Sequence, residues 1–170
     1  GADMAIASTV NKKVGVIATE GTIRSGLYRQ LICGADPELQ VFEKACPLFV
    51  PLVEEGWIRD PITEEIARRY LKEILEKEID TLIMGCTHYP LLAHTIQKVV
   101  GEKITLVNPA FETAKELSKI LAEKNLLREN GSATYKFYVS DGAEQFRTFA
   151  NTILPCEVQE TRDINIEAYE

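Results

Sequence analysis

The chain has 170 residues, 45% of them hydrophobic and 26% charged, with a formal net charge of -7 at pH 7. That length holds one ordinary domain, or a small domain with part of another, and the balance is that of a soluble globular protein rather than a disordered one. The acidic excess argues against nucleic acid as a partner. No apolar run approaches the ~18 residues of a membrane span or fits a signal peptide, so no membrane role is expected and the chain reads as cytoplasmic.

The elements alternate along the chain. Residues 1–12 are a leading segment opening on Gly1-Ala2-Asp3-Met4, small residues that read as a loop or helix end, as at a start inside a larger protein. Residues 13–18 are a short apolar strand ending in Thr19-Glu20-Gly21-Thr22, and residues 23–32 read as a helix. A second strand is expected at 39–42, then an apolar helix over 47–55 whose prolines set its start. Asp60-Pro61 supplies an N-cap and a first-turn proline, and Ile62, Ile66, Tyr70, Ile74 and Leu75 recur at helical spacing down to residue 77.

Residues 79–84 form a buried-type strand broken by Gly85-Cys86-Thr87-His88-Tyr89-Pro90. A helix over 91–100, a strand over 103–107, a helix over 112–122, a strand over 134–139 and a helix over 143–153 complete the pattern. The tail from 156 to 170 holds at most one edge strand. Strand alternating with helix predicts an α/β fold with a doubly wound parallel sheet, covered on both faces. In such sheets ligands bind beyond the carboxyl ends of the strands. Two strand ends are chemically unusual here, residues 19–22 and 85–90.

The four cysteines are Cys33, Cys46, Cys86 and Cys156, with no Cys-x-x-Cys pair among them. That spacing argues against a zinc ribbon, a thioredoxin-type redox pair and a disulfide scaffold. Cys86 follows a strand and a glycine, with His88 two residues on. A thiol beside an imidazole becomes a nucleophile or a proton acceptor when activated as thiolate. On those residues alone, a packed, inert cysteine beside a chance histidine explains the pair equally well. A metal site is not expected: zinc needs three or four ligands, and the only other histidine, His94, sits in the following helix as an ordinary, partly exposed residue. No Walker A loop or Gly-x-Gly-x-x-Gly follows any strand, which sets nucleotide-dependent chemistry aside.

The whole hexapeptide from Gly85 to Pro90, before Leu91-Leu92, resembles the C-terminal catalytic motif of the glutamate racemase family. Residues 14–26, centred on Thr19-Glu20-Gly21-Thr22-Ile23, are similar to a second segment of that family. Cys46-Pro47-Leu48-Phe49-Val50-Pro51-Leu52-Val53-Glu54 is similar to a third, and Asp141 with Glu144-Gln145-Phe146 to one near the family's C-terminus. Order and spacing agree, so the resemblance spans nearly the whole chain. It implies interconversion of L- and D-glutamate, for peptidoglycan synthesis, by two cysteines on opposite faces of the substrate and without a cofactor. Cys86 is then one acid/base, His88 its partner in proton handling and substrate binding, and Thr87 a ligand for the amino-acid head group. Related aspartate racemases carry glutamate at the His88 position, so histidine points to glutamate as substrate. Thr19 and Thr22 put hydroxyls where a carboxylate could be held, with ordinary helix capping as the alternative. Cys33, Cys46 and Cys156 read as packing residues. Glu54 and Glu55 read as solvated residues at a helix end, with a place in the site as the other option.

The resemblance also implies what is missing. A complete member carries an Asp-Ser-Gly segment and a Cys-Asn-Thr segment ahead of the region seen here, and this chain has neither. Residues 13–107 would then be one complete α/β domain, and residues 108–170 the piece that completes a second. The expected partners are glutamate and either the N-terminal half or a second copy of the chain. The 170-residue chain alone is expected to be inactive as a racemase. Two other readings stay open: a thiol hydrolase or lyase using Cys86 as nucleophile, and a non-catalytic amino-acid-binding fragment.

Overall fold

A computed structural model of the chain describes residues 1–128 and 130–169. It divides into two compact units, Gly1–Leu127 and Arg128–Glu170. In the first, strands β1 (Lys13–Ala18), β2 (Gln40–Ala45), β3 (Thr81–Met84) and β4 (Thr105–Val107) form a four-stranded, all-parallel sheet in the order β2-β1-β3-β4. The two central strands are buried along nearly their whole length, as their continuous apolar runs require of strands covered on both faces.

Helices fill both faces, so the doubly wound arrangement is present. Val14 and Val16 of β1 lie in one core cluster with Ala5 of α1 (Ala2–Ser8), Ile32 and the flanking residues Leu39, Val41, Ile83 and Val107. The opposite face begins at Gly15, where an added Cβ would sit 2.7 Å from Ile79 Cδ1 and 3.1 Å from Ile74 Cγ2. Ile74 belongs to α5 (Pro61–Leu75), whose N-cap Asp60 accepts a hydrogen bond from the Ile62 amide as the Asp-Pro pair predicts. A side chain at position 15 would force these side chains to shift.

Several boundaries differ from the sequence reading. The expected helix over 23–32 is two helices, α2 (Glu20–Ser25) and α3 (Leu27–Ala35), parted by Gly26 at φ 64°. Only glycine takes that left-handed conformation without cost, so it ends one helix and opens the next. The helix over 47–55 is α4 (Phe49–Glu54). The stretch after Cys86 starts as a 3₁₀ turn, Tyr89–Leu92, before α6 (Ala93–Val100). Helix α7 (Pro109–Glu123) starts three residues earlier than expected, because the Asn108 side chain accepts from the Ala110 and Phe111 amides ahead of a first-turn proline. The small residues at the start are helical, in α1.

That leading segment is fastened down. The Asp80 carboxylate, just ahead of β3, accepts hydrogen bonds from Thr9 Oγ1, the Val10 amide and the Asn11 amide, each at 2.7 Å, and from Thr81 Oγ1 at 3.0 Å. Burial alone would push this carboxyl up, but the hydrogen bonds outweigh it and hold the group below its ordinary value of 3.8. A depressed carboxyl stabilises the fold above its unfolded pKa of about 3.9 and loses that contribution as pH falls through the folded value. Asp80→Ala is therefore expected to cost about 2 kcal/mol at neutral pH and less below about pH 4. Urea denaturation of both proteins at neutral and acid pH measures this.

The second unit contains β5 (Phe137–Val139), α8 (Ala143–Ile153) and β6 (Thr161–Asp163). β5 and β6 pair in parallel with Phe137 level with Thr161, so the tail does hold a strand. Asn151 of α8 holds the approach to β6, accepting from the Val158 amide at 2.7 Å and donating to the Val158 carbonyl at 3.2 Å. No helix among the described residues is long and apolar enough to cross a membrane.

Candidate active site

The strand order itself locates a crevice. From β1 the chain moves outward to β2, then returns across β1 to place β3 on its other side. In an open parallel sheet the carboxyl ends of the two strands flanking such a reversal are splayed by connections leaving in opposite directions, and ligands bind there. Here those strands are β1 and β3. Ile17 is level with Met84, and the Gly85 amide donates to the Ile17 carbonyl at 2.7 Å. The residues that then leave the sheet are Thr19 from β1 and Cys86 from β3, on one edge as expected.

Thr19 is the backbone N-cap of α2, yet its side chain makes no capping bond. Its hydroxyl instead lies 3.1 Å from that of Thr22. The capping alternative is thus not what occupies these hydroxyls. They form a pair at the end of β1, able to donate to a shared acceptor.

Cys86 is half-buried and Thr87 exposed. The glycine before them sits where a side chain would be crowded. A Cβ at Gly85 would lie 3.0 Å from Tyr28 Cε2, 3.1 Å from the Ile17 carbonyl oxygen and 3.2 Å from Ala18 Cβ. The tyrosine ring could yield, but the carbonyl is fixed in the sheet and already bonded to position 85. Gly85→Ala is therefore expected to displace the Cys86 loop at a cost of about 1–3 kcal/mol. Its signature is a lowered unfolding midpoint together with a changed alkylation rate at Cys86. Tyr28, Met84, Cys86, Thr87, Pro90 and the start of α7 line an open pocket of about 270 Å³ beside the thiol, and burial raises the Tyr28 phenol above its ordinary value.

His88 is held from both ring nitrogens. Nδ1 lies 3.2 Å from Thr87 Oγ1, and Nε2 lies 3.4 Å from Glu54 Oε1, an ion pair when the ring is protonated. The Thr87 hydroxyl is thus engaged with the imidazole in this structure. Glu54, the last residue of α4, is exposed, as a solvated helix-end residue should be, and its carboxylate stands behind His88. Residues 54 and 88 meet only through tertiary packing, so spacing carried no signal for the pair. A carboxylate and a hydroxyl on opposite ring nitrogens fix the ring's orientation.

The remaining cysteines fall into place by burial. Cys46 leaves β2 at the same edge, its amide donating to the Ala18 carbonyl at 2.9 Å. It is fully buried, and burial pushes its thiol up to about 12, with the Lys44 ammonium pulling the other way. A thiol so hard to ionise packs and does not exchange protons near neutrality. Cys33 is partly buried against the core, its Sγ 3.5 Å from the Leu39 carbonyl, and Cys156 lies in the second unit. His94 is exposed on α6. Among the described residues no group of three or more His, Cys, Asp or Glu side chains could hold a metal ion.

The Asp/Glu/hydantoin racemase family matches residues 1–117. A glutamate racemase of Thermoanaerobacter sp. is 41% identical over 99% of this chain and 64% of its own length, and one of Geobacter metallireducens is 42% identical over 99% and 63%. The crystal structure of glutamate racemase isoform RacE1 from Bacillus anthracis superposes with a TM-score of 0.90 at 34% identity, over 97% of this chain and 62% of that one. A Francisella tularensis glutamate racemase in complex with D-glutamate gives 0.89 at 33% identity, over 99% and 62%. The chain thus spans a little under two thirds of the length of these relatives. With the fold, the strand-end motif and the family match in agreement, this chain belongs to the Asp/Glu/hydantoin racemase family.

Proposed function

We propose that this chain carries one half of a cofactor-independent glutamate racemase site, with Cys86 as the acid/base on one face of the substrate. The observation that carries the reading is the placement of Cys86 and the Thr19–Thr22 hydroxyl pair at the ends of the two strands flanking the sheet's reversal. Its further support is the glutamate racemase relatives and the D-glutamate bound to one of them.

The chemistry follows from the groups present. Cys86 as thiolate takes the α proton, and the electron pair left on the α carbon is resolved when a second thiol delivers a proton to the opposite face. His88, backed by Glu54 and Thr87, stabilises charge at Cys86 as the proton moves. Thr19 and Thr22 donate to a substrate carboxylate, and Thr87 to the head group once its hydroxyl turns from the imidazole. Same-face return of the proton restores the starting enantiomer, so inversion needs a second acid/base. Of the other cysteines in this unit, Cys46 is disqualified by burial, and Cys33 packs against Leu39 ahead of β2, at the other end of the sheet. The second thiol comes from the part of the relatives' length that this chain does not span, with residues 108–170 completing that other domain.

The test is protection. L- or D-glutamate is expected to slow alkylation of Cys86 by iodoacetamide, leaving Cys33 and Cys156 unaffected, and Thr19→Val/Thr22→Val should weaken the protection. Equal alkylation of Cys86 with and without saturating glutamate would refute the site.

A further inference from the structure

The residue after His88 is doing something the proton-transfer scheme does not use. Tyr89 is the largest fully buried side chain among the described residues. Its phenol donates to the Cys46 carbonyl at 2.8 Å, a contact spanning 43 residues of sequence. Its ring meets Phe49 edge-on, with centroids 5.2 Å apart, and Phe49 meets Tyr70 in the same way at 5.5 Å. The Tyr70 hydroxyl in turn accepts from the Leu48 amide at 3.3 Å. Burial raises the Tyr89 phenol far above its ordinary range, and the neighbouring Cys46 and Cys86 thiols add to the effect. The group therefore stays a neutral donor throughout the working pH range.

These contacts join two loops. One is the Cys86 loop at the end of β3. The other is the turn at the end of β2, which runs through Cys46 into α4 and so to Glu54. Between them lies β1, so the β3 and β2 ends share no ladder hydrogen bonds. The phenol–carbonyl bond spans that gap in the dry interior, where a lost partner leaves a carbonyl unsatisfied.

We propose that Tyr89 is a positioning residue, whose hydroxyl latches the Cys86 loop to the end of β2 and thereby holds His88 against Glu54. The inference rests on the reading of Cys86 and His88 as the proton-handling pair, but it is tested by thiol chemistry that does not require racemisation. With the latch in place, the thiol loop and the carboxylate behind the imidazole form one rigid unit. Without it, the aromatic packing remains while the register of the two loops relaxes.

The experiment compares Tyr89→Phe with the wild-type chain, and with Leu71→Ala as a control. Leu71 is fully buried in α5 and makes none of the latch contacts, so its truncation lowers stability without removing one of them. Alkylation by iodoacetamide is followed at each cysteine by peptide mass spectrometry, across pH. Tyr89→Phe is expected to change the Cys86 rate relative to Cys33 and Cys156 by about threefold or more, within the range of coupling between residues of one network. It should also abolish the effect of Glu54→Gln on that rate. Leu71→Ala should leave both the ratio and the Glu54→Gln effect intact. An unchanged Cys86 ratio in Tyr89→Phe, or the same change in Leu71→Ala, would overturn the latch. Failure of glutamate to protect Cys86 would instead count against the racemase reading, and leaves the alkylation ratios to decide on Tyr89.

Discussion

Cys86→Ala, in this chain joined with the remaining portion of a family member, is expected to lower glutamate racemisation by about 10³-fold or more. A general base contributes on the order of 10²–10⁴-fold, and here the substitution removes the thiol proposed as the acid/base on its face. The nearest thiol by position along the sheet edge is Cys46, and burial lifts it to about 12, too high to substitute. The circular dichroism spectrum and unfolding midpoint should change little, because Cys86 is only partly buried at the sheet edge. Cys86→Ser is expected to be nearly as inactive, since a hydroxyl is a far weaker acid than a thiol. Activity within tenfold of wild type in either variant would remove Cys86 from the mechanism.

The second large effect concerns the other face. The chain spans 64% of the length of its Thermoanaerobacter relative and offers one partly exposed thiol at the strand edge, Cys86. Alone it is expected to form no D-glutamate above the uncatalysed rate. Co-expression with a polypeptide covering the relatives' N-terminal third should restore racemisation by several orders of magnitude, because a second thiol is then held opposite Cys86. The second unit should respond as well. Among the described residues Arg128–Glu170 contains a two-stranded parallel ladder and one α-helix, with Ala150 and Val158 as the buried apolar residues. That is less core than a segment of this size needs to stand alone. Amide exchange across β5 and β6 is expected to slow when the missing portion is supplied, and an unchanged exchange pattern would refute the association.

The parts of the site legible in the sequence were those written in local pattern. An apolar run cut off by Gly85-Cys86 reads as a strand ending at a thiol, and the sheet places that thiol where the run predicts. Thr19 and Thr22 were legible for the same reason, since a strand end and a helix start are both local. Glu54 reads from the sequence as a solvated residue at a helix end with a place in the site as the other option, because its partner, 34 positions later in the chain (His88), reaches it through the packing of α4. Tyr89 was hidden for a related reason: a tyrosine in a motif says nothing of the carbonyl it bonds across the sheet.

Among the elements, the break at Gly26 was missed because an isolated glycine is tolerated inside a helix. What decided the matter was the left-handed conformation it adopts, which no apolar spacing reports. The early start of α7 was within reach. Asn108-Pro109 is the same cap-and-proline signal as Asp60-Pro61, but it lies directly against the end of β4, where the strand pattern masks it.

The central claim is that Cys86 acts on the α proton of glutamate from one face. Incubating the 170-residue chain with L-glutamate in deuterium oxide, and following both the α proton by NMR and the enantiomer by chiral chromatography, tests it most directly. Deuterium should enter the α position with the L configuration retained, and Cys86→Ala should abolish the exchange. Steady formation of D-glutamate by the chain alone, or exchange that survives Cys86→Ala, would contradict the account.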